Sequence, residues 1–190
     1  MSVDGRTARR HRNRDLVLDA AIDLFGEGHA PPTPAQVAGR SGVSLRSVYR
    51  YFSDHDELVV AAVGRFVERN ERLFILDVPF DAPLGDRIER FVDSRLRLYD
   101  AVAPVARMAT RRSAEVPVFA AQLTLRRRMF TRQCADLFAA EFAALGDGVA
   151  EAVDALTQFG ALEHLREHRG LSRRRTREAL IEALRRLLGD

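Results

Sequence analysis

The amino-acid sequence predicts an all-α protein in which a small N-terminal unit of three helices is joined by a connecting helix to a larger helical bundle. Apolar residues recur three and four positions apart along most of the 190 residues, and no segment alternates as a strand would. Proline and glycine divide this pattern into about nine helices. With 46% apolar and 30% charged residues, the composition excludes a disordered tail or a fibre.

The single cysteine, Cys134, excludes an intramolecular disulfide and a cysteine-based zinc site. The longest uncharged apolar segments, such as Leu58 to Gly64, fall far short of the roughly 18 residues that a membrane span needs. No apolar signal segment opens the chain. These features predict a cytoplasmic protein without membrane contact.

Residues 1–14 form a basic segment ahead of the first apolar stripe. All 30 basic residues of the chain are arginine, and five of them lie here against the single acid Asp4. These five are Arg6, Arg9, Arg10, Arg12 and Arg14. The segment has no apolar period, so we expect a disordered arm. It could be a solvated terminus or an arm that binds phosphates or a DNA minor groove.

Residues 15–60 contain the signals of three short helices. An apolar stripe from Leu16 to Phe25 predicts the first helix. Thr33, Pro34 and Gln36 combine an N-cap, a proline at the first helical position and a capping box, so a second helix begins there and ends at Gly42.

The third and fourth helices follow at once. Ser44 is placed to cap a third helix over residues 45–52, and Ser53 is expected to open a fourth that runs to about Leu76. A connection with two prolines follows, and residues 61–190 are predicted to form the second domain. Its helices are expected at 84–102, 104–112, 117–145, 148–168 and 172–188.

The second and third helices form a helix-turn-helix, with Val48 and Phe52 on the inner face of the third helix. No acidic residue occurs from Ala30 to Ser53. The outer face of the third helix is predicted to carry Leu45, Arg46, Ser47, Arg50 and Tyr51. Arginine can pair bidentately with guanine, and hydroxyl groups can donate to phosphate oxygens. The pattern therefore favours nucleic-acid binding over an ordinary helical hairpin in a bundle.

From about Asp15 to Val63 the chain is similar to the DNA-binding domain of the TetR family of transcriptional regulators. The residues that carry this resemblance are Ala20 to Phe25, Gly28, Thr33, Val37, Ala38, Ser41 to Ser44, Val48, Tyr49, Tyr51, Phe52, Glu57 and Leu58. By position, it implies that base edges are read by Leu45, Arg46, Ser47 and Arg50, and that phosphates are contacted by Thr33, Ser44, Tyr49 and Tyr51. Amide groups from Ser53 to Asp56 at the start of the fourth helix would attract a further phosphate. His55 stands where the family usually has lysine.

The resemblance also implies a homodimer on palindromic double-stranded DNA and a small-molecule effector bound in the C-terminal bundle. Wide apolar stripes on the last two helices suggest that the dimer interface comprises Val153, Leu156, Gly160, Leu180, Leu184 and Leu187. Candidate pocket residues are Tyr99, Met108, Phe119, Leu123, Phe130, Phe138 and Phe159, with Arg95, Arg107 or Arg111 reading an anionic group. Either set could instead be the core of a single bundle.

The sequence therefore predicts a ligand-responsive transcriptional regulator, a repressor released by its effector, without enzymatic activity and without a cofactor. One alternative is a metal- or redox-responsive regulator that uses His164 and His168, or Cys134. Another is a zinc-dependent hydrolase, because His164, Glu167 and His168 match the H-x-x-E-H pattern of one class of zinc peptidases.

Overall fold

The structure, a computed structural model, describes residues 5–27 and 31–189, with side chains from residue 7 onward. All regular secondary structure in these ranges is helical, which confirms the predicted fold class. The ten α-helices are α1 (Gly5–Glu27), α2 (Pro34–Ser41), α3 (Leu45–Tyr51), α4 (His55–Arg69), α5 (Leu84–Arg112), α6 (Pro117–Leu137), α7 (Ala139–Leu145), α8 (Asp147–Thr157), α9 (Phe159–Glu163) and α10 (Arg173–Leu188).

The chain divides into two compact units that do not follow the sequence order strictly. Unit 1 comprises the chain up to Glu71 together with Pro104–Ala121, and unit 2 comprises Arg72–Ala103 and the chain from Gln122 onward. Helices α5 and α6 each contribute to both units. The boundary expected near residue 60 therefore differs from the observed grouping, because residues distant in sequence join unit 1.

Unit 1 is built around α1, which packs against α2, α3 and α4. Its core includes fully buried side chains from α1 and from the helix-turn-helix, among them Val17, Val37 and Phe52. At the rim, Arg65 and Arg69 of α4 donate to the carboxylate of Asp19 in α1 at 2.6 and 2.9 Å. Burial alone raises the pKa of Asp19, but the hydrogen bonds from Arg65 and Arg69 outweigh it and leave the pKa below its usual value. The carboxylate therefore stays charged.

The expected disordered arm is wrong from residue 5 onward, because α1 begins at Gly5. No glycine or proline interrupts the chain from Arg6 to Phe25, and arginine is a good helix former, so the helix extends through the basic segment. The guanidinium group of Arg14 lies 5.1 Å from the ring centroid of Phe52, which ties this segment to the unit. Residues 1–4, and the side chain of Arg6, lie outside the described residues.

Helix α4 differs from the prediction at both ends. Its N-cap is Asp54, whose side chain accepts from the Glu57 amide, so Ser53 does not open the helix. It ends at Arg69, where the Asn70 side chain donates to the Phe66 carbonyl at 2.8 Å and occupies a terminal acceptor. A single 3₁₀ turn, Glu71–Phe74, follows. The expected end at Leu76 is therefore wrong.

The break predicted at Pro104 is wrong, because α5 continues from Leu84 to Arg112 with Pro104 inside it. Proline removes one amide donor and typically costs about 3 kcal/mol in a helix interior. Here the residues on either side of it, Ala103 and Val105, are buried. Burial of apolar side chains along the helix offsets that local cost.

Two long helices expected in the C-terminal half are each divided. The predicted helix 117–145 breaks at Phe138, which is fully buried between α6 and α7. The predicted helix 148–168 breaks at Gln158, just after Thr157 donates its hydroxyl to the Val153 carbonyl at 2.9 Å. A threonine that bonds back to the preceding turn bends a helix. A π-helical turn at His164–His168 completes this region.

Unit 2 has one continuous apolar core formed by α5 through α10. Its most buried large side chains are Ile88, Phe91, Leu96, Leu137, Phe138, Leu180 and Leu184. Val153, Leu180 and Leu184 were expected at a dimer interface, and this expectation is wrong, since at most 2% of each is exposed in the single chain. The apolar stripes of α8 and α10 face each other and the rest of their own bundle.

A buried ion pair fixes α7 to α5 within unit 2. Arg87 donates to both carboxylate oxygens of Glu141 and to the Leu137 carbonyl at 2.7 Å. Only 11% and 15% of the two side chains are exposed. The hydrogen bonds from Arg87 lower the pKa of Glu141.

We expect Arg87→Met to lower the free energy of unfolding by about 3 kcal/mol, because Glu141 is left as an unpaired buried charge. Glu141→Gln should cost less, since its amide oxygen still accepts from Arg87. A carboxylate with a lowered folded pKa stabilises the fold above its unfolded pKa, and this contribution is lost as the pH falls below about 4.5. Glu141→Gln should lack that loss in urea titrations between pH 3 and pH 7.

The control for this experiment is Glu182→Gln, which removes an exposed ion pair with Arg186. We expect it to change stability by less than about 0.5 kcal/mol. An Arg87→Met variant as stable as this control would contradict a structural role for the buried pair.

Candidate nucleic-acid interface

Helix α2 begins at the capping box that the sequence predicts. The amide of Gln36 donates to Thr33 Oγ1 at 3.3 Å, and the side chain of Gln36 accepts from the Thr33 amide at 2.8 Å. The Thr33 hydroxyl also donates to Gln36 Oε1 at 2.9 Å. Thr33 is exposed. Because its hydroxyl hydrogen is donated to Gln36, it would have to leave that partner in order to donate to a phosphate.

The turn between α2 and α3 depends on Gly42, which has a φ of 70° in the left-handed region. Its amide donates to the Ala38 carbonyl at 3.1 Å and ends α2. Val43 then enters the core, and Ser44 caps α3 by accepting from the Ser47 amide at 3.3 Å. Val48 on α3 and Phe52 at its C-terminal end are both about 99% buried, so the inner face of α3 packs into the core of unit 1.

The outer face of α3 is exposed to solvent. Leu45 is 41% exposed and Tyr49 is 55% exposed, and Arg46 and Arg50 are exposed as well. Ser47, which is half-buried, shares a hydrogen bond of 3.0 Å with Ser44. A short helix thus presents two guanidinium groups, hydroxyl groups and an aromatic ring on one side.

Neither arginine of α3 has a carboxylate partner in the described part of the chain. Arg50 makes only 3.5 Å contacts, to the hydroxyl groups of Ser47 and Tyr51, and Arg46 makes no polar contact there. By contrast, Arg40 on the neighbouring helix α2 is held by Glu27 through two hydrogen bonds of 2.7 Å. The positive charge on α3 is therefore available to an anionic partner.

Tyr51 does not lie on the outer face, and this expectation is wrong. Its ring is only 9% exposed and packs into unit 1, with the Arg50 guanidinium 5.4 Å from its centroid. The reason is helical geometry: Tyr51 lies three residues after Val48, and these positions share the buried side of α3. Its hydroxyl group instead supports Arg50.

The start of α4 also differs from the expected phosphate site. The Ser53 amide donates to Glu57 at 2.6 Å, so it is not unpaired, and Asp54 accepts from the Glu57 amide at 2.8 Å. These hydrogen bonds lower the pKa of both carboxyl groups. The expectation of a free amide is therefore wrong at Ser53, because the Glu57 carboxylate occupies it.

His55 has a defined partner within unit 1. Its Nε2 donates to the carbonyl of Pro32 at 3.0 Å, which links the first residue of α4 to the segment before α2. In the neutral ring Nδ1 is then an acceptor and has no hydrogen to donate to a phosphate. The sequence did not reveal this contact, since no local pattern joins residues that lie 23 positions apart.

The candidate effector residues divide between the two units. Met108 and Phe119 are buried in unit 1, whereas Tyr99, Leu123, Phe138 and Phe159 belong to unit 2. Phe138 is fully buried and meets the Phe91 ring edge-on at 5.4 Å, so it is a core residue rather than a pocket residue. Tyr99 is also buried and donates to Glu163 at 2.8 Å.

Arg95, the first of the three arginines expected to read an anion, is 5% exposed and lies in unit 2. Arg107 and Arg111 lie in unit 1 and are more exposed. The side chains of the expected dimer interface that remain accessible are those of Leu156 and Leu187, both half-buried, beside the exposed Gly160.

The geometry gives little support to the alternative functions, a metal- or redox-responsive regulator and a zinc-dependent hydrolase. The rings of His164 and His168 lie 6.0 Å apart, but the described ranges contain no group of three or more histidine, cysteine or acidic residues that could hold a metal ion. Cys134 is 1% exposed, and burial raises the pKa of its thiol to about 12. A reactive cysteine needs the opposite shift.

Two comparisons with known proteins relate to this geometry. Residues 17–62 match the model of a family described as bacterial regulatory proteins, tetR family. This match covers α2, α3, the second half of α1 and the first half of α4. Comparison with curated protein sequences gives no significant match.

Among the helices of the described residues, none combines the length and the apolar character that crossing a bilayer requires.

Solved structures share the fold over nearly the whole chain. A tetR-family transcriptional regulator from Streptomyces coelicolor has a TM-score of 0.67 at 21% identity, covering 93% of this chain and 80% of that one. A transcriptional regulator from Rhodococcus sp. Rha1 has a TM-score of 0.66 at 19% identity, covering 95% of this chain and 96% of that one. At these identities the likeness concerns the fold.

Alanine at Gly42 should destabilise the turn before α3, whereas alanine at Gly39 should not destabilise the protein. Both positions have open space for a Cβ atom, but only Gly42 has a positive φ. We expect Gly42→Ala to destabilise the protein by about 1 kcal/mol. Gly39→Ala, inside α2, should stabilise it by up to about 1 kcal/mol. Urea unfolding of both variants measures this, and equal midpoints would contradict a strained turn.

Proposed function

We propose that this chain is a repressor of the TetR family of transcriptional regulators, which binds a palindromic operator as a homodimer and is released by a small-molecule effector. The proposal places α3 in the major groove of double-stranded DNA. It assigns no catalytic activity and no cofactor to the chain. The site of action is where chromosomal DNA lies, in the cytoplasm.

The observation that carries the proposal is the unpaired positive charge on α3. Arg46 and Arg50 are exposed without a carboxylate partner among the described residues, and no acid occurs from Ala30 to Ser53. On the neighbouring helix α2, by contrast, Arg40 is ion-paired with Glu27. Phosphates and guanine edges are the anionic and acceptor groups that such a surface fits.

The side chains of this surface divide into reading and positioning roles. Arg46 and Arg50 are long enough to make bidentate contacts with base edges, and Leu45 can make an apolar contact with a thymine methyl group. Tyr49 and Ser44, which are exposed beside them, are suited to donate to phosphate oxygens. Tyr51 acts on recognition through Arg50 rather than by contact.

A homodimer follows from the size of the reading surface. Helix α3 has seven residues, and one such helix contacts too few base pairs to select a site. The exposed side of α8 and α10, which carries Ala155 and Ala179 among charged residues, is the surface that we assign to the partner copy. Val153, Leu180 and Leu184 support these helices from inside.

We expect Arg50→Ala and Tyr49→Phe to weaken DNA binding in different ways. Arg50→Ala should cost about 1–3 kcal/mol on a duplex selected from random sequences and should relax the preference at one position. Tyr49→Phe should weaken binding to selected and random duplexes equally, because it removes a phosphate contact. Mobility-shift titrations at several salt concentrations measure both effects.

The matched control is Arg40→Ala, which removes an exposed arginine of the neighbouring helix that Glu27 already neutralises. We expect it to leave the affinity within about threefold of the unmodified chain. Duplex binding that is unaffected by Arg50→Ala and Tyr49→Phe alike would overturn the assignment of α3.

The unmodified chain should sediment as a dimer, twice its 21.3 kDa mass, at micromolar concentration. Ala179→Arg should shift it to the monomer, because a charged side chain replaces a small one at the proposed contact. Ala140→Arg, an exposed position on α7 of the same unit, serves as the control and should remain dimeric. A monomeric unmodified chain would refute this part of the proposal.

A further inference from the structure

Arg95 of α5 is a buried cation in unit 2 that the fold does not neutralise. Its side chain is 5% exposed and lies between two aromatic rings, with 4.7 Å from its guanidinium carbon to the centroids of Phe91 and Phe130. Stacking on rings suits a guanidinium group and stabilises it. Stacking on these rings does not, however, neutralise the positive charge as a contacting carboxylate would.

The hydrogen bonds of Arg95 go to neutral groups. Nη1 donates to Gln133 Oε1 at 2.9 Å, and Nη2 donates to the Phe130 carbonyl at 3.1 Å. Nε is buried and has no partner. A guanidinium group has five donors, so most of its capacity is unused. The carboxylate of Asp154 acts on this charge from a distance, but its oxygens accept from Thr131 and Gln158.

Other arginines of unit 2 show what a neutralised site looks like. Arg87 is held by Glu141, and Arg177 binds Asp93 through Nε at 2.8 Å and Nη2 at 3.1 Å. This is the two-point arrangement in which arginine receives a carboxylate. Arg95 presents the same Nε and Nη2 edge with Nε unused. Burial lowers the pKa of Arg95 to about 10, so the group is still charged at neutral pH.

A second arginine and a third ring extend the site. The Phe74 ring stacks parallel to the Phe130 ring with centroids 6.4 Å apart, and Arg126 lies 4.4 Å from the Phe74 centroid. Arg126 has no carboxylate partner among the described residues either. Phe74, Arg126, Phe130 and Gln133 are half-buried, so this side of Arg95 is nearer to solvent than its Phe91 side.

We infer that Arg95 anchors a small organic monoanion, a carboxylate attached to an apolar body. The carboxylate binds the Nε and Nη2 edge of Arg95, and the apolar body packs against Phe74 and Phe130. A free phosphate fits less well, because the rings around the guanidinium group offer it few donors. This inference deepens the proposed effector response and rests on that proposal for its link to DNA release.

Gln133 connects this site to the segment that follows α4. Its Oε1 accepts from Arg95, and its Nε2 donates to the Phe74 carbonyl at 2.8 Å. Phe74 ends the 3₁₀ turn that begins two residues after α4. A carboxylate on the Nε and Nη2 edge competes with the Phe130 carbonyl for Nη2 and shifts the guanidinium group whose Nη1 donates to Gln133, so occupancy acts on the hydrogen bonds that hold this turn. The ligand therefore has a physical route to change the segment between α4 and α5.

The test measures binding to the full-length chain in the absence of DNA. Benzoate and octanoate are titrated by calorimetry, each against its neutral amide, benzamide or octanamide, with inorganic phosphate as a further probe. At least one carboxylate should bind, and its amide should bind about 10- to 100-fold more weakly, the range of a charge-assisted hydrogen bond. Equal binding of acid and amide, no binding of either acid, or a preference for phosphate would overturn the inference.

Variants then locate the site. Arg95→Met should reduce carboxylate affinity by about 10- to 100-fold, whereas Arg97→Met, an exposed arginine on the same helix, should leave it unchanged. Unchanged affinity in Arg95→Met would overturn the inference. Should that variant fail to fold, Gln133→Glu provides the second variant. A carboxylate built at Nη1 should neutralise the charge of Arg95 and abolish benzoate binding, and retained binding would refute the site.

The outcome is separable from that of the proposed function. Loss of duplex binding on substitution of α3 tests the DNA interface and does not involve Arg95. Carboxylate binding is measured without DNA and does not depend on α3. A chain that binds duplex DNA but no carboxylate would refute this inference alone, and the converse result would refute the proposed function alone.

Discussion

The structure depends on how arginine charge is neutralised. Every basic residue of the chain is arginine, 30 in total against 27 acids, and a guanidinium group cannot lose its proton under ordinary conditions. A buried arginine therefore needs carboxylates or rings around it. Arg87 with Glu141 shows the first solution, and Arg95 between Phe91 and Phe130 shows the second. These are the two buried arginines of the described residues, and only the second has no carboxylate in contact.

Unit 1 follows the same rule at its surface. Arg65, Arg69 and Arg40 bind acids from α1, which places positive charge between helices where it stabilises packing. Exposed pairs of this kind contribute little individually. The acids of these pairs neutralise the charge of three arginines near the helix-turn-helix, namely Arg40, Arg65 and Arg69. The arginines of α3 have no carboxylate partner among the described residues, and their position on a capped two-turn helix makes them a fixed surface rather than a mobile arm.

Local signals were sufficient to predict the helix-turn-helix. Thr33, Gly42 and Ser44 act on amides and carbonyls within four residues, so their roles can be read from the sequence. Where the predictions were wrong, the decisive contact was distant or buried. Pro104 does not end α5 because burial of the neighbouring residues outweighs a missing donor. The Tyr51 ring is buried because its position, three residues after Val48, lies on the inner face of α3.

The same limit applies to the candidate sites of the second half. An apolar stripe shows that a helix face is buried but not against which surface, so Val153 and Leu184 were placed at an interface although they lie in their own core. Arg95 could be named from the sequence as an anion reader, but its isolation from acids could not. That depends on Gln133 and Phe130, which are 38 and 35 residues away.

An unpaired charge has a thermodynamic consequence for binding. Burial of Arg95 has a desolvation cost that no carboxylate in contact offsets, and this cost lowers the stability of the fold. A ligand that binds only the folded chain stabilises it by about 2.7 kcal/mol at a concentration one hundred times its dissociation constant. The free and bound states need differ only at the hydrogen bonds that Arg95 and Gln133 make with Phe130 and Phe74. A single buried cation can therefore both weaken the free protein and make it responsive to an anion.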